Sequence, residues 1–409
     1  MSEVAQAPQL RFPEFSGEWE EKRFDSLYPT VRNGFVGVAT PYYVEEGVPY
    51  LQGKNIKSGA INRNGLVYIN ESFHQKSKKS QLRQNDIVMV QSGHVGECAV
   101  ITEEFEDTNC HALLVSTPTH DIDSKFYINY FYSKFGRKKI YRITTGNTIK
   151  HILSSDLKIQ TVSNPSYQEQ QKIAAFLTAV DTKIEQLSKK QELLGEHKKG
   201  SMQQIFSQAI RFKADDGSEF PEWKERRLGD VCSKAKSGGT PRSTTKEYYD
   251  GDIPFLAISD ITRQGKYLTS ASKKISQLGI DNSASWIVPI DTIIYSMYAS
   301  VGFVSINKIP LATSQAVINL IVKDGYSIEF IYYHLIEVKK TIHKFIETGT
   351  QGNLNAQTVK SLILNIPSLP EQAKIANFLS SIDNKIEQVG KQLDESKQFK
   401  KALLQQMFV

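Results

Sequence analysis

Glu169-Gln170-Gln171-Lys172-Ile173-Ala174-Ala175-Phe176-Leu177 returns about 200 residues later as Glu371-Gln372-Ala373-Lys374-Ile375-Ala376-Asn377-Phe378-Leu379. Asp181-Thr182-Lys183-Ile184-Glu185-Gln186 returns in the same way as Asp383-Asn384-Lys385-Ile386-Glu387-Gln388, and the tracts end alike at Gln203-Gln204-Ile205-Phe206 and Gln405-Gln406-Met407-Phe408. A gapless match with about half its positions identical over roughly 40 residues marks a duplication. Any fold assigned to one half must therefore serve the other.

Within each tract the apolar residues alternate four and three apart. They are Ile173, Leu177, Val180, Ile184, Leu187, Leu194 and Ile205 in the first, and Ile375, Leu379, Ile382, Ile386, Val389, Leu393, Leu403 and Met407 in the second. This is the heptad of a coiled-coil seam, with Lys198 and Lys400 among its polar interruptions. Pro165 and Pro370 stand at the starts, where a helix tolerates them. The spacing predicts helices over 167–206 and 370–408, each about 60 Å long. A helix with one apolar seam must cover it, and its copy in the other half is the natural partner. Antiparallel pairing would place one globule at each end, making the helices a ruler and a docking surface. Ile173, Phe176, Lys183 and Glu185, with Ile375, Phe378, Lys385 and Glu387, are the expected partner-binding residues.

Upstream of each tract the similarity thins but keeps its order. Trp19-Glu20-Glu21-Lys22-Arg23-Phe24 answers Trp223-Lys224-Glu225-Arg226-Arg227-Leu228, and Val48-Pro49-Tyr50-Leu51 answers Ile253-Pro254-Phe255-Leu256. Short β-rich runs at 48–52, 87–91, 99–101 and 113–115, and at 255–258, 292–296, 302–306 and 317–322, read as strands between polar turns. Each half closes with an aromatic amphipathic helix, 126–141 and 328–345. The expected class is α+β: two globular domains separated by two long antiparallel coiled-coil helices in a pseudo-two-fold repeat. The boundaries are 1–165 for the first globular domain, 166–212 for its helix, 213–366 for the second domain and 367–409 for its helix.

Across 409 residues, 40% hydrophobic and 23% charged, the composition is that of an ordinary globular protein, which excludes a fibrous or low-complexity chain. No stretch approaches the roughly 18 apolar residues of a spanning helix, and the start lacks the pattern of a signal peptide, so a cytoplasmic protein without a membrane partner is expected. Net charge of +6 permits a polyanionic partner without demanding one. Basic residues concentrate at Lys76, Lys78 and Lys79 and at Arg137, Lys138, Lys139 and Arg142. Cys98, Cys110 and Cys232 are too scattered for a disulfide framework, and His111 beside Cys110 lacks further ligands for a metal.

Ser237-Gly238-Gly239-Thr240-Pro241, Ser296-Met297-Tyr298-Ala299-Ser300-Val301-Gly302, Thr350-Gln351-Gly352-Asn353 and Ile366-Pro367-Ser368-Leu369-Pro370-Glu371-Gln372 stand in that order before the second coiled coil. The first half carries Gln91-Ser92-Gly93-His94-Val95-Gly96 and Thr145-Gly146-Asn147-Thr148, and has Val31-Arg32-Asn33-Gly34-Phe35 in place of the SGGTP loop. The whole arrangement resembles the specificity subunit of type I restriction-modification systems. The resemblance implies that each globular part is a target recognition domain reading half of a split, asymmetric site in double-stranded DNA. The helices would fix the gap and dock two methyltransferase subunits, joined by motor-endonuclease subunits. It also implies no cofactor in this chain, with S-adenosylmethionine, ATP and Mg²⁺ on the partners.

Base edges are read by Arg, Lys, Asn and Gln, while basic and hydroxyl groups hold phosphates. In the first domain the candidates are Arg32, Asn33, Lys54, Asn55, Lys57, Arg63, Lys76, Lys78, Lys79, Gln91, His94 and Asn147. In the second they are Thr240, Arg242, Lys246, Arg263, Lys273, Lys274, Tyr298, Ser300, Gln351 and Asn353. A catalyst is disfavoured. Asn164-Pro165-Ser166-Tyr167 superficially resembles an adenine-methyltransferase element, but the second copy has Ile366-Pro367-Ser368-Leu369 there, and no glycine-rich loop for a methyl donor or Walker lysine motif accompanies it. The competing non-enzymatic reading is a coiled-coil scaffold with two protein-binding modules.

Overall fold

In each half, a strand near the start of the globular part pairs antiparallel with the strand that leads into the long helix. Glu20–Arg23 pairs with Thr161–Asn164, and Lys224–Arg227 pairs with Ile363–Ile366. This two-stranded ribbon binds entry and exit together, so the globule is closed before the helix begins. The computed structural model describes residues 7–298, 300–345 and 354–409. They fall into two units, one of 1–189 with 390–409 and one of 190–389, so the division cuts through both long helices.

The first unit holds a four-stranded antiparallel sheet in the order Thr30–Asn33, Leu113–Thr117, Ile87–Val90, Cys98–Val100. A second sheet contains Val48–Leu51 paired parallel with Asn109–Cys110. The second unit repeats the plan. Cys232–Ser237, Val317–Val322, Ile293–Ser296 and Val304–Asn307 keep that order, Tyr267–Leu268 is added at the edge, and Ile253–Leu256 pairs parallel with Leu311–Thr313. Val317–Val322 matches the expected strand to the residue. At the other end of the 255–258 run, Ile258 instead opens a short helix, Ile258–Gln264, because Asp260 accepts the Ala257 amide at 3.0 Å and caps the turn.

The aromatic helix expected at 126–141 is two helices, Ser124–Tyr132 and Lys134–Arg142. Ser133 breaks them: its backbone is extended, and its side chain accepts from the Gly136 amide, starting a new helix. In the second unit the corresponding segment is the helix Ile328–Val338 followed by a 3-10 turn, Lys339–Phe345.

The long helices are Tyr167–Phe206 and Leu369–Gln406. In the first unit Ile173 and Leu177 share a core with Leu403, Leu404 and Met407, while Lys400 pairs with Asp181 at 2.6 Å. In the second, Met202 and Ile205 share a core with Ile375 and Leu379, while Lys198 pairs with Asp383 at 2.6 Å. Partners ascend one helix as they descend the other, so the halves run antiparallel within each unit. The two lysines that interrupt the heptads are thus neutralised by the same repeated aspartate, which keeps the seam paired where it turns polar.

The repeated Glu-Gln dipeptide clamps the globule to its helix. Gln170 accepts from the Asp123 amide and donates to Pro165 O, and Gln372 accepts from the Ser327 amide and donates to Pro367 O. Asp123 and Ser327 are the caps of Ser124–Tyr132 and Ile328–Val338, so one side chain joins linker, cap and long helix. The preceding glutamates are buried. Glu169 receives Arg11 at 2.7 and 2.8 Å, and Glu371 receives Arg211 at 3.2 and 2.9 Å. Replacing Glu371 by Gln leaves the Arg211 charge half-sheltered with a neutral partner. We expect a loss of about 2–3 kcal/mol, below the range for fully buried pairs because Arg211 keeps some solvent. Urea unfolding checks this, and an unchanged midpoint would contradict it.

Candidate nucleic-acid interface

Two glycine-containing loops of the first half, separated by about fifty residues in sequence, meet on one surface of its unit. Residues 145–151 form a hairpin closed by reciprocal Thr145 and His151 backbone hydrogen bonds of 2.9 Å. Gly146 at its tip has φ +94°, and an added Cβ would lie 2.2 Å from Ile149 O, so only glycine fits this turn. The hairpin is held to the 91–96 loop by Gly93 N to Lys150 O at 3.0 Å, Ile152 N to Gln91 O at 2.9 Å, and Ser92 Oγ to His151 Nδ1 at 2.5 Å. His94 and Asn147 are therefore brought to the same surface, both exposed.

Lys134–Arg142 forms the wall of a groove of about 590 Å³ lined by His94, Val95, Lys138, Ile140, Tyr141 and Lys150. The basic run on this helix divides. Lys139 is spent on Glu21 and Thr161 O, and Arg137 on Glu97 at 2.9 Å. Lys138, Arg142 and Lys150 make no ion pair among the described residues and are exposed. Glu97 is the groove's one carboxylate; burial pushes its pKa up, but the Ser58 amide, Arg137 and Tyr132 outweigh that and hold it below its ordinary value. Its charge is already matched, so the surface presented by this groove is cationic.

The second unit keeps part of this arrangement. Gly302 packs on Lys339 as Gly96 packs on Ile140 and Arg137, and the Lys339 ammonium lies 3.1 Å from the centroid of the Phe303 ring. Tyr298 is exposed and Ser300 half-buried. Gln351 and Asn353 lie outside the described residues. In the SGGTP loop, a Cβ on Gly238 would lie 1.9 Å from Thr313 O, so this glycine serves close packing of two backbones. Thr240 donates to Gln315 Oε1 at 2.6 Å from an exposed position. Arg242, Lys246 and Lys273 are exposed, and Lys274 reaches Asp252 at 2.8 Å.

Several sequence candidates point inward, and their expected roles are corrected accordingly. Arg32 donates to Lys79 O, Thr117 Oγ1, Gln81 O and the buried Asp86, so its guanidinium pins the sheet to the neighbouring loop. Asn55 is fully buried, accepting from the Gln52 amide and donating to Asn62 O and Asn64 O. Gln91 is buried at the end of its strand. Arg263 and Arg63, by contrast, stay exposed, paired with Asp260 at 2.6 Å and with Glu104 respectively. Asn33, Lys54, Lys57, Lys76, Lys78 and Lys79 remain exposed.

Among the partner-binding candidates, Ile173 and Ile375 are core residues of their own units and offer nothing to a partner. Phe176 and Phe378 are half-buried against Phe12 and Phe212, each with ring centroids 5.7 Å apart. Lys183, Glu185, Lys385 and Glu387 are exposed. Arg11 and Arg211 escaped the sequence reading, although Arg11-Phe12 and Arg211-Phe212 recur at an offset within two residues of that of the helices. Lys150 was missed because a single lysine in a loop carries no pattern until the fold sets it beside the 91–96 loop.

Among the described residues no group of three or more His, Cys, Asp or Glu could hold a metal, and no helix is long and apolar enough to cross a membrane. Burial pushes the Cys98 and Cys110 thiols up to about 12, which leaves them inert as nucleophiles.

Comparison with known proteins points in one direction. Over 193 residues the chain is 32% identical to the type I restriction enzyme MjaIX specificity subunit of Methanocaldococcus jannaschii, a match spanning 46% of this chain and 44% of that protein. It is 23% identical to the MjaVIII specificity subunit of the same organism over 97% of this chain and 92% of the relative. The crystal structure of a type I restriction-modification S subunit from M. genitalium shares the fold, with TM-score 0.62 and 19% identity over 98% of this chain and 99% of that one. The family model described as type I restriction modification DNA specificity domain matches twice, at 16–194 and 221–396, once on each copy of the repeat. The chain belongs to the family of type I restriction-modification DNA specificity proteins.

Proposed function

We propose that this chain is the non-catalytic reader of a type I restriction-modification complex, each globular domain recognising one half of a bipartite, asymmetric DNA site. One observation carries the reading: the Gln170 and Gln372 clamps, the Lys–Asp pairs of the seam and the order of the four shared strands repeat in both copies, whereas the exposed loop residues differ between them. A shared scaffold presenting two different surfaces suits two different half-sites. Linking them raises effective concentration, so two short readouts act as one. The long helices would set the gap and offer Lys183, Glu185, Lys385 and Glu387 to methyltransferase subunits. Those partners would bring S-adenosylmethionine, and motor-endonuclease subunits would bring ATP and Mg²⁺.

Sequencing N6-methyladenine in cells with this chain and its methyltransferase, against cells lacking this chain alone, tests the reading. A split motif that vanishes on deletion supports it; unchanged methylation with an assembled complex refutes it. Exchanging residues 220–366 for another such domain is expected to alter one half of the motif and leave the other intact.

The charged rim gives a quantitative expectation. Lys138→Ala, Arg142→Ala and Lys150→Ala should each weaken DNA binding across sequences, and each phosphate contact removed should flatten the slope of log affinity against log salt by about 1. Titrations at several salt concentrations measure this. Lys139→Ala should leave the slope unchanged, since its ammonium is consumed internally.

A further inference from the structure

Two largely exposed apolar side chains stand at the cationic groove, Tyr141 in its lining and Ile149 next to the lining residue Lys150 in the hairpin. Tyr141 is 71% exposed and Ile149 is 69% exposed, the first on the groove's helical wall and the second in the hairpin. The Lys150 ammonium lies 5.5 Å from the centroid of the Tyr141 ring and links the two elements. The hairpin that displays Ile149 is tightly specified by its double hydrogen bond, by the Gly146 conformation and by its ties to the 91–96 loop. Its tip is preorganised, so it would meet a ligand with little ordering left to do.

Isolated exposed apolar residues need no explanation, but here Tyr141 lines the groove with His94, Lys138 and Lys150, Arg142 and Ile149 directly adjoin Tyr141 and Lys150 in the chain, and the groove's one carboxylate is already matched. A protein partner with an apolar anchor would match the exposed lysines and Arg142 only if it also carried acidic groups around that anchor. A nucleic acid offers phosphates for the rim and stacked, apolar base faces for the centre. Proteins that bend DNA use side chains of this kind, inserting an apolar wedge between adjacent base pairs and unstacking one step.

We propose that Ile149 is a wedge that enters a base step in the half-site read by the first domain, with Tyr141 stacking on the base exposed by it. The step then contributes to specificity through its deformability, in addition to direct readout by His94 and Asn147. Flexible pyrimidine–purine steps are the favoured sites. The inference rests on the DNA-reading function and fails with it, but it can also fail alone.

The test uses the assembled complex on duplexes carrying 2-aminopurine at successive positions of the first half-site, excluding the adenine that is methylated. Binding is followed in parallel by the anisotropy of a dye at the duplex end, with protein in excess. Fluorescence of 2-aminopurine is expected to rise severalfold at one step with the unaltered protein and to return to the free-duplex value with Ile149→Ala. Tyr141→Ala should give a partial loss, and Val38→Ala, an equally exposed change elsewhere, none. Bound duplex without a rise at any step, or a rise that survives Ile149→Ala, overturns the wedge and leaves DNA reading standing. No sequence-specific anisotropy change overturns both.

Discussion

Phe408→Ala is expected to destabilise the first unit by about 3–5 kcal/mol, the range for removing a fully buried aromatic ring. The residue lies two positions beyond the end of the second long helix, yet its side chain is 1% exposed within the first unit's core. Its ring packs on Phe126 at 5.3 Å, Tyr130 at 6.2 Å and Trp19 at 6.4 Å. Leu10 N to Gln406 O and Ser163 Oγ to Val409 O, at 2.9 and 2.7 Å, fix the same end. For a unit of this size the loss corresponds to a fall of roughly 10 °C in melting temperature. Calorimetry should show that fall in one of two transitions. Phe206→Ala makes the matching change in the second unit, where the ring meets Trp223, Phe330 and His334. Its effect should be smaller because Phe206 is only half-buried. If Phe408→Ala moved both transitions equally, the assignment of this helix end to the first unit's stability would be wrong.

The second large effect is a selective acid sensitivity of the second unit. His334 stacks on Phe206 at 4.8 Å, is buried, and its Nδ1 has no hydrogen-bond partner. Burial pushes its pKa down to about 4. In the unfolded chain the imidazole takes up its proton near pH 6.5. Between these values the unfolded state binds more protons than the folded one, so stability is full above about pH 6.5 and declines as pH falls. By pH 4 the cumulative loss is about 3 kcal/mol. His334→Tyr, which installs the residue found at the equivalent Tyr130, should flatten this dependence of the second transition between pH 6.5 and 4. A variant that declines as steeply as the unaltered chain would show that other groups set the acid limit.

Much of the architecture was legible in the chain alone, because duplication and heptad spacing are one-dimensional signals. The long helices begin within one residue of expectation, and Val317–Val322 coincides with its predicted strand. Alternating apolar runs fix which face of a strand or helix is buried whatever lies opposite. The break at Ser133 was not legible, since the aromatic pattern continues through it and only a capping bond to Gly136 ends the first helix. Candidate contacts fared according to their surroundings. Arg32 and Asn55 have the residue types that read bases, yet a buried aspartate and a set of loop carbonyls consume them.

The sequence by itself determined that the chain is a duplicated unit, that each copy ends in a seamed helix, and that its family is that of DNA specificity proteins. Those properties depend on local spacing and on order along the chain. Only the tertiary structure decided which polar groups are free. It gave Lys139 to Glu21 and left Lys138 outside, and it set Ile149 and Lys150 beside the 91–96 loop. It also seated Phe408 among the aromatics of the first domain. The physical reason is that a side chain's availability depends on partners distant in sequence, brought near by packing, and no periodicity along the chain encodes them.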